Sequence, residues 1–523
     1  MLLKVLACFL LLVSISAKHY SINSKLQIQE VSEKLLPRLQ DSIAIANYTD
    51  SHLTSGWAHI NVETSESYPD SNQTYSAGFL EGYLTYDLIW ATKANKGIAL
   101  LEKGFLRMPT KAAEFIQNQT AWINQMAKEN PTDNYWNLVN ATISQLYGLY
   151  DGYISAINHF NKTDYMISFD DFYTAITYSV DLPDVVSKYS IIDLHLPRCS
   201  FLLKLTENGL YTGHTTWSDY TDMVRLYKIY NFNLQNPLVK NKKVSFSSIP
   251  GAIASEDDFY IVDNNKVVAE TTLVAYNPLV YSYLHSDSVP YWIRVTVANM
   301  MFTDQQSWAD AYFTHRSGTY NNQWLIVDFN NYQKYKSNLT QAKDIIWMVE
   351  EFYKLTSTID VTQELLIKQG YVASYNSPYN ETIWALSKNI DHYDKNPRGK
   401  LFAKYAPEIK TFEDFQAVLR KNNHSDTHLY CQAIASRCDL QDTISLPFGA
   451  IDCKTTTDAM VPNHQAWILN GPTTYDDLPP FNWTEWPRFN KKLVNMPNLF
   501  NFNWTFVDPT TQSRRSGIEF LSW

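Results

Sequence analysis

The stretch C-S-F-L-L-K-L-T-E-N-G-L-Y-T-G-H, starting at Cys199, leaves this chain fewer structural choices than any other segment. C-S-F-L-L-K-L is β-prone, Asn208-Gly209 favours a tight turn with positive φ, and L-Y-T-G-H reads as a returning strand. Such a hairpin carries His214, fifteen residues after Cys199, back beside the start of the first strand. One thiol and one imidazole are then neighbours at one end of a sheet.

The texture on either side differs. Segment 84–160 reads as mainly helical, with Leu138, Ile143, Leu146 and Leu149 at near-helical spacing on a face expected to be core. After the hairpin, Asp219 is placed to cap a helix carrying Met223, Leu226 and Ile229. A second hairpin is expected in F-Y-I-V-D-N-N-K-V-V-A-E-T-T-L-V, turning at Asp263 to Asn265, and another strand from Trp324 to Phe329. Strands interrupted by helices predict an α+β arrangement, packed sheets with helical layers outside. The length exceeds what one hydrophobic core usually serves, so two lobes or one elaborate domain are expected. Residues 395–523, rich in Pro, Asn and Trp, suggest little regular structure.

The N-terminus carries one lysine, an apolar run from Val5 to Val13, and then Ser14, Ser16 and Ala17, the pattern of a secretory signal peptide over residues 1–17. No later run is long and apolar enough for a transmembrane anchor. Ten N-x-S/T sequons, at Asn47, Asn72, Asn118, Asn140, Asn161, Asn338, Asn380, Asn423, Asn482 and Asn503, suggest a glycosylated surface. A net charge of −10 argues against nucleic acid as a partner and against electrostatic docking on anionic membranes.

With Cys8 removed in the signal, Cys199, Cys431, Cys438 and Cys453 remain, enough for two disulfides, so parity exposes no free thiol. No G-x-S-x-G, H-E-x-x-H, C-x-x-C or G-x-G-x-x-G occurs. The twelve His do not cluster at ligand spacing. Neither a metal nor any other cofactor has support.

The segment from Arg198 through T-T-W-S-D-Y resembles the phospholipase B-like family. Further matches follow in the family's order. They are A-G-F-L-E-G-Y-L-T from Ala77, P-G-A-I-A-S-E-D-D-F-Y-I from Pro250, A-E-T-T from Ala269, V-A-N-M-M from Val297 and W-A-D-A-Y-F from Trp308. S-G-T-Y-N-N-Q-W from Ser317, Y-N-S-P-Y-N-E from Tyr375, N-P-R-G-K-L-F from Asn396, A-S-R-C-D-L from Ala435, G-A-I-D-C-K from Gly449 and N-G-P-T from Asn470 complete the series. The resemblance covers about residues 75–505. It implies a four-layer αββα N-terminal nucleophile hydrolase sandwich with extra helices, lysosomal or secreted residence, and an acyl-ester or acyl-amide substrate. It also implies a precursor that cuts itself between Arg198 and Cys199, giving fragments 18–198 and 199–523 that form one intertwined unit.

In that reading Cys199 is the nucleophile and its freed α-amine the base. His214 is a partner by hairpin geometry, with a hydrogen-bonded structural histidine as the alternative. Thr215 stands where the family carries Asn or Ser. Trp217 is a pocket wall. Asn321 and Asn322 offer amides for an oxyanion, Asn322 being favoured by analogy, although consecutive Asn is equally good turn chemistry. Arg437 is a guanidinium to stabilise thiolate or oxyanion, or else an ion pair with Asp439. Thr271 and Thr272 offer hydroxyls or are simply strand residues. Asp257 and Asp258 orient a base or form a solvated edge. Cys431 and Cys438 are candidates for a short disulfide, and Cys453 is given no role. Three functions stay open: a fatty-acyl hydrolase of glycerophospholipids, an amidase, and a lipid-binding glycoprotein without catalysis. A homodimer is also left open.

Overall fold

Two antiparallel-dominated sheets organise the chain in a computed structural model that describes residues 18–32, 41–191, 199–424, 430–442 and 445–509. Residues 1–17, read as the signal, and Arg198, one side of the expected cut, lie outside the described residues.

The larger sheet has eleven strands. Seven come from beyond residue 199, in the spatial order Leu355–Asp360, Ile346–Phe352, Asn322–Asp328, Lys266–Thr272, Phe259–Val262, Lys243–Ser248 and Arg225–Asn231. Four from the N-terminal part complete it: Trp57–Thr64, Ser42–Asp50, Lys18–Asn23 and Ile28–Val31. The seam between the two sets, Trp57–Thr64 against Arg225–Asn231, is the one parallel pairing among the described strands. The smaller sheet runs Tyr371–Ser374, Ser200–Thr206, Gly209–Thr215, Asp452–Thr457, Ala466–Asn470 and Thr505–Val507.

Side-chain alternation explains how the sheets stack. Tyr227 and Ile229 share a buried cluster with Phe201, Leu203 and Ile468 of the smaller sheet, so these faces pack on each other. Leu226 and Tyr230, one residue out of phase, instead pack with Leu80, Leu149 and Val295 from helices Asp70–Leu84, Asn134–His159 and Tyr291–Met301. The outer face of the smaller sheet, through Leu202, Tyr211 and Cys453, packs on Phe402 and Leu419 of helices Pro397–Tyr405 and Phe412–Leu419.

Several expectations change here. The helix anticipated after Asp219 is a short 3₁₀ turn, Tyr220–Asp222, followed by strand Arg225–Asn231. Leu226 and Ile229 sit at helical spacing, but both faces of this strand are buried, so apolar residues fall on either parity. Among the described residues of 395–523 there are three α-helices and six strands, including Pro397–Tyr405, Phe412–Leu419, Asp452–Thr457 and Ala466–Asn470, which Pro and Asn at caps and turns obscure in sequence. Both hairpins form as expected. Cys431 and Cys438 are joined by a disulfide, and Cys199 and Cys453 are buried thiols. Of the sequons, Asn423 is only 6% exposed, and burial of its side chain sets it apart from the exposed Asn72, Asn118, Asn140, Asn161, Asn338 and Asn503.

The tightest helix contact is between Asp70–Leu84 and Asn134–His159. A Cβ on Gly82 would lie 1.9 Å from the Leu149 carbonyl oxygen, and one on Gly148 would lie 2.0 Å from that of Tyr75. Only glycine permits this approach. It lets Glu81 reach through to the sheet, where it meets Lys228 Nζ at 2.6 Å with both side chains fully buried.

Candidate active site

Cys199 heads the strand Ser200–Thr206, which lies second in the smaller sheet between Tyr371–Ser374 and Gly209–Thr215, and is 2% exposed. Its φ of 77° lies in the left-handed region, which costs a β-carbon-bearing residue on the order of 1 kcal/mol or more. Burial, and then the Glu270 carboxylate, push the thiol well above its usual range, while the Trp217 backbone N–H and Lys454 act the other way. The thiol of the uncut chain is therefore protonated.

The hairpin register sets Phe201 opposite His214 and Ser200 opposite Thr215. Cys199 and His214 thus belong to the same face, one pleat apart. His214 Nε2 lies 2.9 Å from the Glu270 carbonyl oxygen, which makes that nitrogen the donor and leaves Nδ1 as a buried acceptor. Nδ1 has no hydrogen-bond partner among the described residues. Burial and then Lys454 pull its pKa well down, so the imidazole is neutral.

The guanidinium at this site belongs to Arg398. Its Nη1 donates to the Cys199 carbonyl and, at 3.2 Å, to Ser200 Oγ; its Nη2 donates to the Tyr375 carbonyl at 2.7 Å and to Asn376 Oδ1. It stacks 4.2 Å above the Trp217 ring, whose Nε1 is held by the Ile434 carbonyl. Burial lowers Arg398 to about 9, which leaves it cationic at neutral and acid pH. Asn376 in turn ties the cluster to the larger sheet: its Nδ2 donates to the Thr272 carbonyl at 2.7 Å and its N–H to Thr271 Oγ1 at 3.1 Å. Thr271 Oγ1 also meets Ser374 Oγ at 2.6 Å.

Asn322 pairs in register with Thr272 on this rim. Both atoms of its amide are buried with no hydrogen-bond partner among the described residues, and Thr272 Oγ1 is in the same condition. Asn321 is committed elsewhere: its Nδ2 donates to the Gly318 carbonyl and its Oδ1 accepts from the Tyr353 N–H. Arg437 makes a bidentate ion pair with Asp439 and donates to the Thr473 and Pro479 carbonyls, and none of its bonds goes to Cys199.

Two ionic clusters back the cysteine. Lys454 Nζ donates to Asp452 Oδ1 at 2.7 Å and to Thr216 Oγ1; Asp452 also meets Arg225 at 3.0 Å, and Arg225 reaches Asp257. Burial works against the Asp452 charge, but Lys454 and then Arg225 outweigh it and hold the carboxylate at about 2. Asp258 accepts from the hydroxyls of Tyr291 and Tyr320, and Tyr320 also donates to Glu270 at 3.0 Å. Burial pushes Asp258 up to about 6. The expected solvated edge at Asp257 and Asp258 is thus interior, 2% and 0% exposed, because Arg225 and two tyrosines satisfy it.

Sequence reasoning passed over Arg398, Asn376 and Lys454. All three lie in segments that carried the family resemblance, N-P-R-G-K-L-F, Y-N-S-P-Y-N-E and G-A-I-D-C-K. A motif does not reveal which of its side chains faces inward. Among the described residues no group of three or more His, Cys, Asp or Glu could hold a metal ion, and no helix is long and apolar enough to cross a membrane.

Fold and site together define a mixed α/β protein with two stacked sheets and a buried cysteine where a strand begins. The phospholipase B family model matches residues 44–507, and the chain belongs to that family. It is 33% identical to phospholipase B-like protein B of Dictyostelium discoideum, over 89% of this chain and 86% of that one. It is 30% identical to phospholipase B of Crotalus adamanteus (92% and 90%) and 28% identical to phospholipase B-like 1 of Rattus norvegicus (88% and 87%).

Proposed function

We propose that this protein is a lysosomal or secreted hydrolase that removes fatty acyl chains from glycerophospholipids through Cys199 acting as an N-terminal nucleophile. The observation that carries the proposal is the backbone at Cys199, a buried left-handed residue heading an interior strand with Arg398 fixed on its carbonyl. Helices, sheet, sheet and helices in succession support the four-layer αββα sandwich of N-terminal nucleophile hydrolases. The names of the relatives support the phospholipid substrate.

The chemistry runs in two stages. Sγ adds to the Arg198 carbonyl carbon, the Arg198–Cys199 C–N bond breaks, and the α-amine takes up the proton as a thioester forms. Water then hydrolyses the thioester, leaving a carboxylate on Arg198 and a free N-terminal Cys199. Relief of the strained φ at Cys199 favours this first stage. The freed amine, with a pKa near 8, sits beside the thiol and takes its proton close to neutral pH. In the second stage Sγ attacks the lipid acyl carbon. The developing oxyanion has a buried donor to hand in the Asn322 amide, the ammonium protonates the leaving lysolipid alkoxide, and water releases the fatty acid. Arg398 positions the nucleophile, while Arg437 holds the Ile434–Asp439 loop through its ion pair.

After the cut, fragments 18–198 and 199–523 remain one unit through the parallel seam and the buried pairs Glu81–Lys228 and Lys96–Glu256. Residues 1–17 are removed as a signal.

The test is expression with and without Cys199→Ala, reading chain number by mass and fatty acid release from phosphatidylcholine beside an N-acyl amide panel. Two chains and phosphatidylcholine turnover in the unaltered protein, both lost in the variant, are expected. Turnover of amides alone would make it an amidase; normal cutting with no turnover of either would favour a binding protein.

A further inference from the structure

The segment that follows Thr271 and Thr272 has two faces. Inward, Leu273, Val280 and Leu284 pack with Phe352 and Ile383 in a buried cluster. Outward, Leu279 is 75% exposed, Tyr276 46% and Tyr283 41%. The end of helix Glu381–Ser387 and the loop after it run alongside, with the Tyr276 N–H donating to the Ser387 carbonyl at 3.0 Å and the Asn277 amide to the Leu386 carbonyl at 3.1 Å, both at the helix end. That loop adds Ile390, 83% exposed. One exposed leucine needs no explanation, but four large apolar side chains on two adjoining segments do.

The rim adjoins the catalytic cluster. Asn389, next to Ile390, donates to the Asn376 carbonyl at 3.0 Å, and Asn376 Oδ1 accepts from Arg398. Lys354 Nζ donates to the Tyr283 hydroxyl at 2.9 Å and sits 4.5 Å from its ring centre, and Lys388 is exposed beside Ile390. Exposed Asp287 and Glu381 balance the two lysines. Tyrosines, aliphatic tips and balanced charge are the composition that partitions into the headgroup region of a zwitterionic bilayer, where phosphates meet the lysines and aliphatic groups reach the acyl boundary.

We infer that the rim of Tyr276, Leu279, Tyr283 and Ile390 seats the protein on a zwitterionic phospholipid surface, on the side where Asn376 and Arg398 adjoin Cys199. This rests on the acyl-hydrolase reading above. It is tested on the mature protein by co-sedimentation with phosphatidylcholine vesicles, and separately by turnover of a short-chain acyl ester kept below its micelle concentration. The variants are Ile390→Asp alone, Leu279→Asp with Ile390→Asp, and Leu101→Asp as an exposed leucine elsewhere. Vesicle binding should fall at least tenfold in the double variant, by less in Ile390→Asp, and stay unchanged in Leu101→Asp, with monomer turnover within twofold throughout. Equal vesicle binding by all variants, no vesicle binding by the unaltered protein, or loss of monomer turnover in Ile390→Asp would each overturn the inference. Absence of acyl turnover in the unaltered protein would instead overturn the hydrolase reading, while the vesicle measurement still decides the surface.

Discussion

Replacing Arg398 with lysine keeps the charge and removes the geometry. The guanidinium serves Cys199, Ser200, Tyr375 and Asn376 from two nitrogens that point in different directions, and its plane lies on Trp217. One ammonium at the end of a flexible stem cannot reach both the Cys199 carbonyl and the Tyr375–Asn376 pair. Leaving the Tyr375 carbonyl and Asn376 Oδ1 buried without a donor costs about 1–2 kcal/mol each. A protein of this kind is stable by roughly 5–15 kcal/mol, so the variant folds. The same 2–4 kcal/mol appears in the rate to the extent that the nucleophile drifts, which is about 30- to 1000-fold at 1.36 kcal/mol per tenfold. Fatty acid release from phosphatidylcholine in mixed micelles should therefore show kcat down about a hundredfold, with KM changed by less than threefold. Arg437→Lys should lower the melting temperature and leave kcat within a fewfold. An Arg398→Lys protein that turns over at the unaltered rate would refute the assignment of this arginine to the nucleophile.

Two further outcomes are expected. Asp181 and Asp258 are raised by burial to about 6, so their protonated forms belong to the folded state; the stability they contribute is complete below about pH 4 and lost as pH rises through 6. Asp452, held at about 2, contributes above about pH 4 and loses that contribution as pH falls. Melting temperature should peak in mildly acid solution, and Asp181→Asn with Asp258→Asn should flatten the decline between pH 4 and 6; an unchanged decline in that variant would contradict the assignment. Gly82→Ala forces two helix backbones apart by more than 1 Å and should cost about 3 kcal/mol in denaturant unfolding, whereas unchanged stability would mean that the crossing yields easily.

The sequence was most legible where local chemistry and tertiary demand agree. Asn208-Gly209 and the Asp263–Asn265 turn each specify a hairpin from two or three residues, and both hairpins are there. It was least legible where burial on both faces erases periodicity, as in Arg225–Asn231, whose Leu226 and Ile229 imitate a helix while facing opposite layers. The cysteine and histidine could be placed together because they share one hairpin. Arg398 could not, since it reaches Cys199 across 199 residues of chain, nor could Asn376, which that guanidinium holds. For Arg437 the sequence offered two roles, and the ion pair with Asp439, two residues away, is the one it makes.

The most direct measurement is mass spectrometry of the mature protein after a brief exposure to phosphatidylcholine and acid quenching. The account predicts two chains, with an unblocked Cys199 at the start of the second and a fatty acyl adduct on that residue's peptide alone. A single continuous chain that releases fatty acid, or an adduct carried by any other residue, would contradict it.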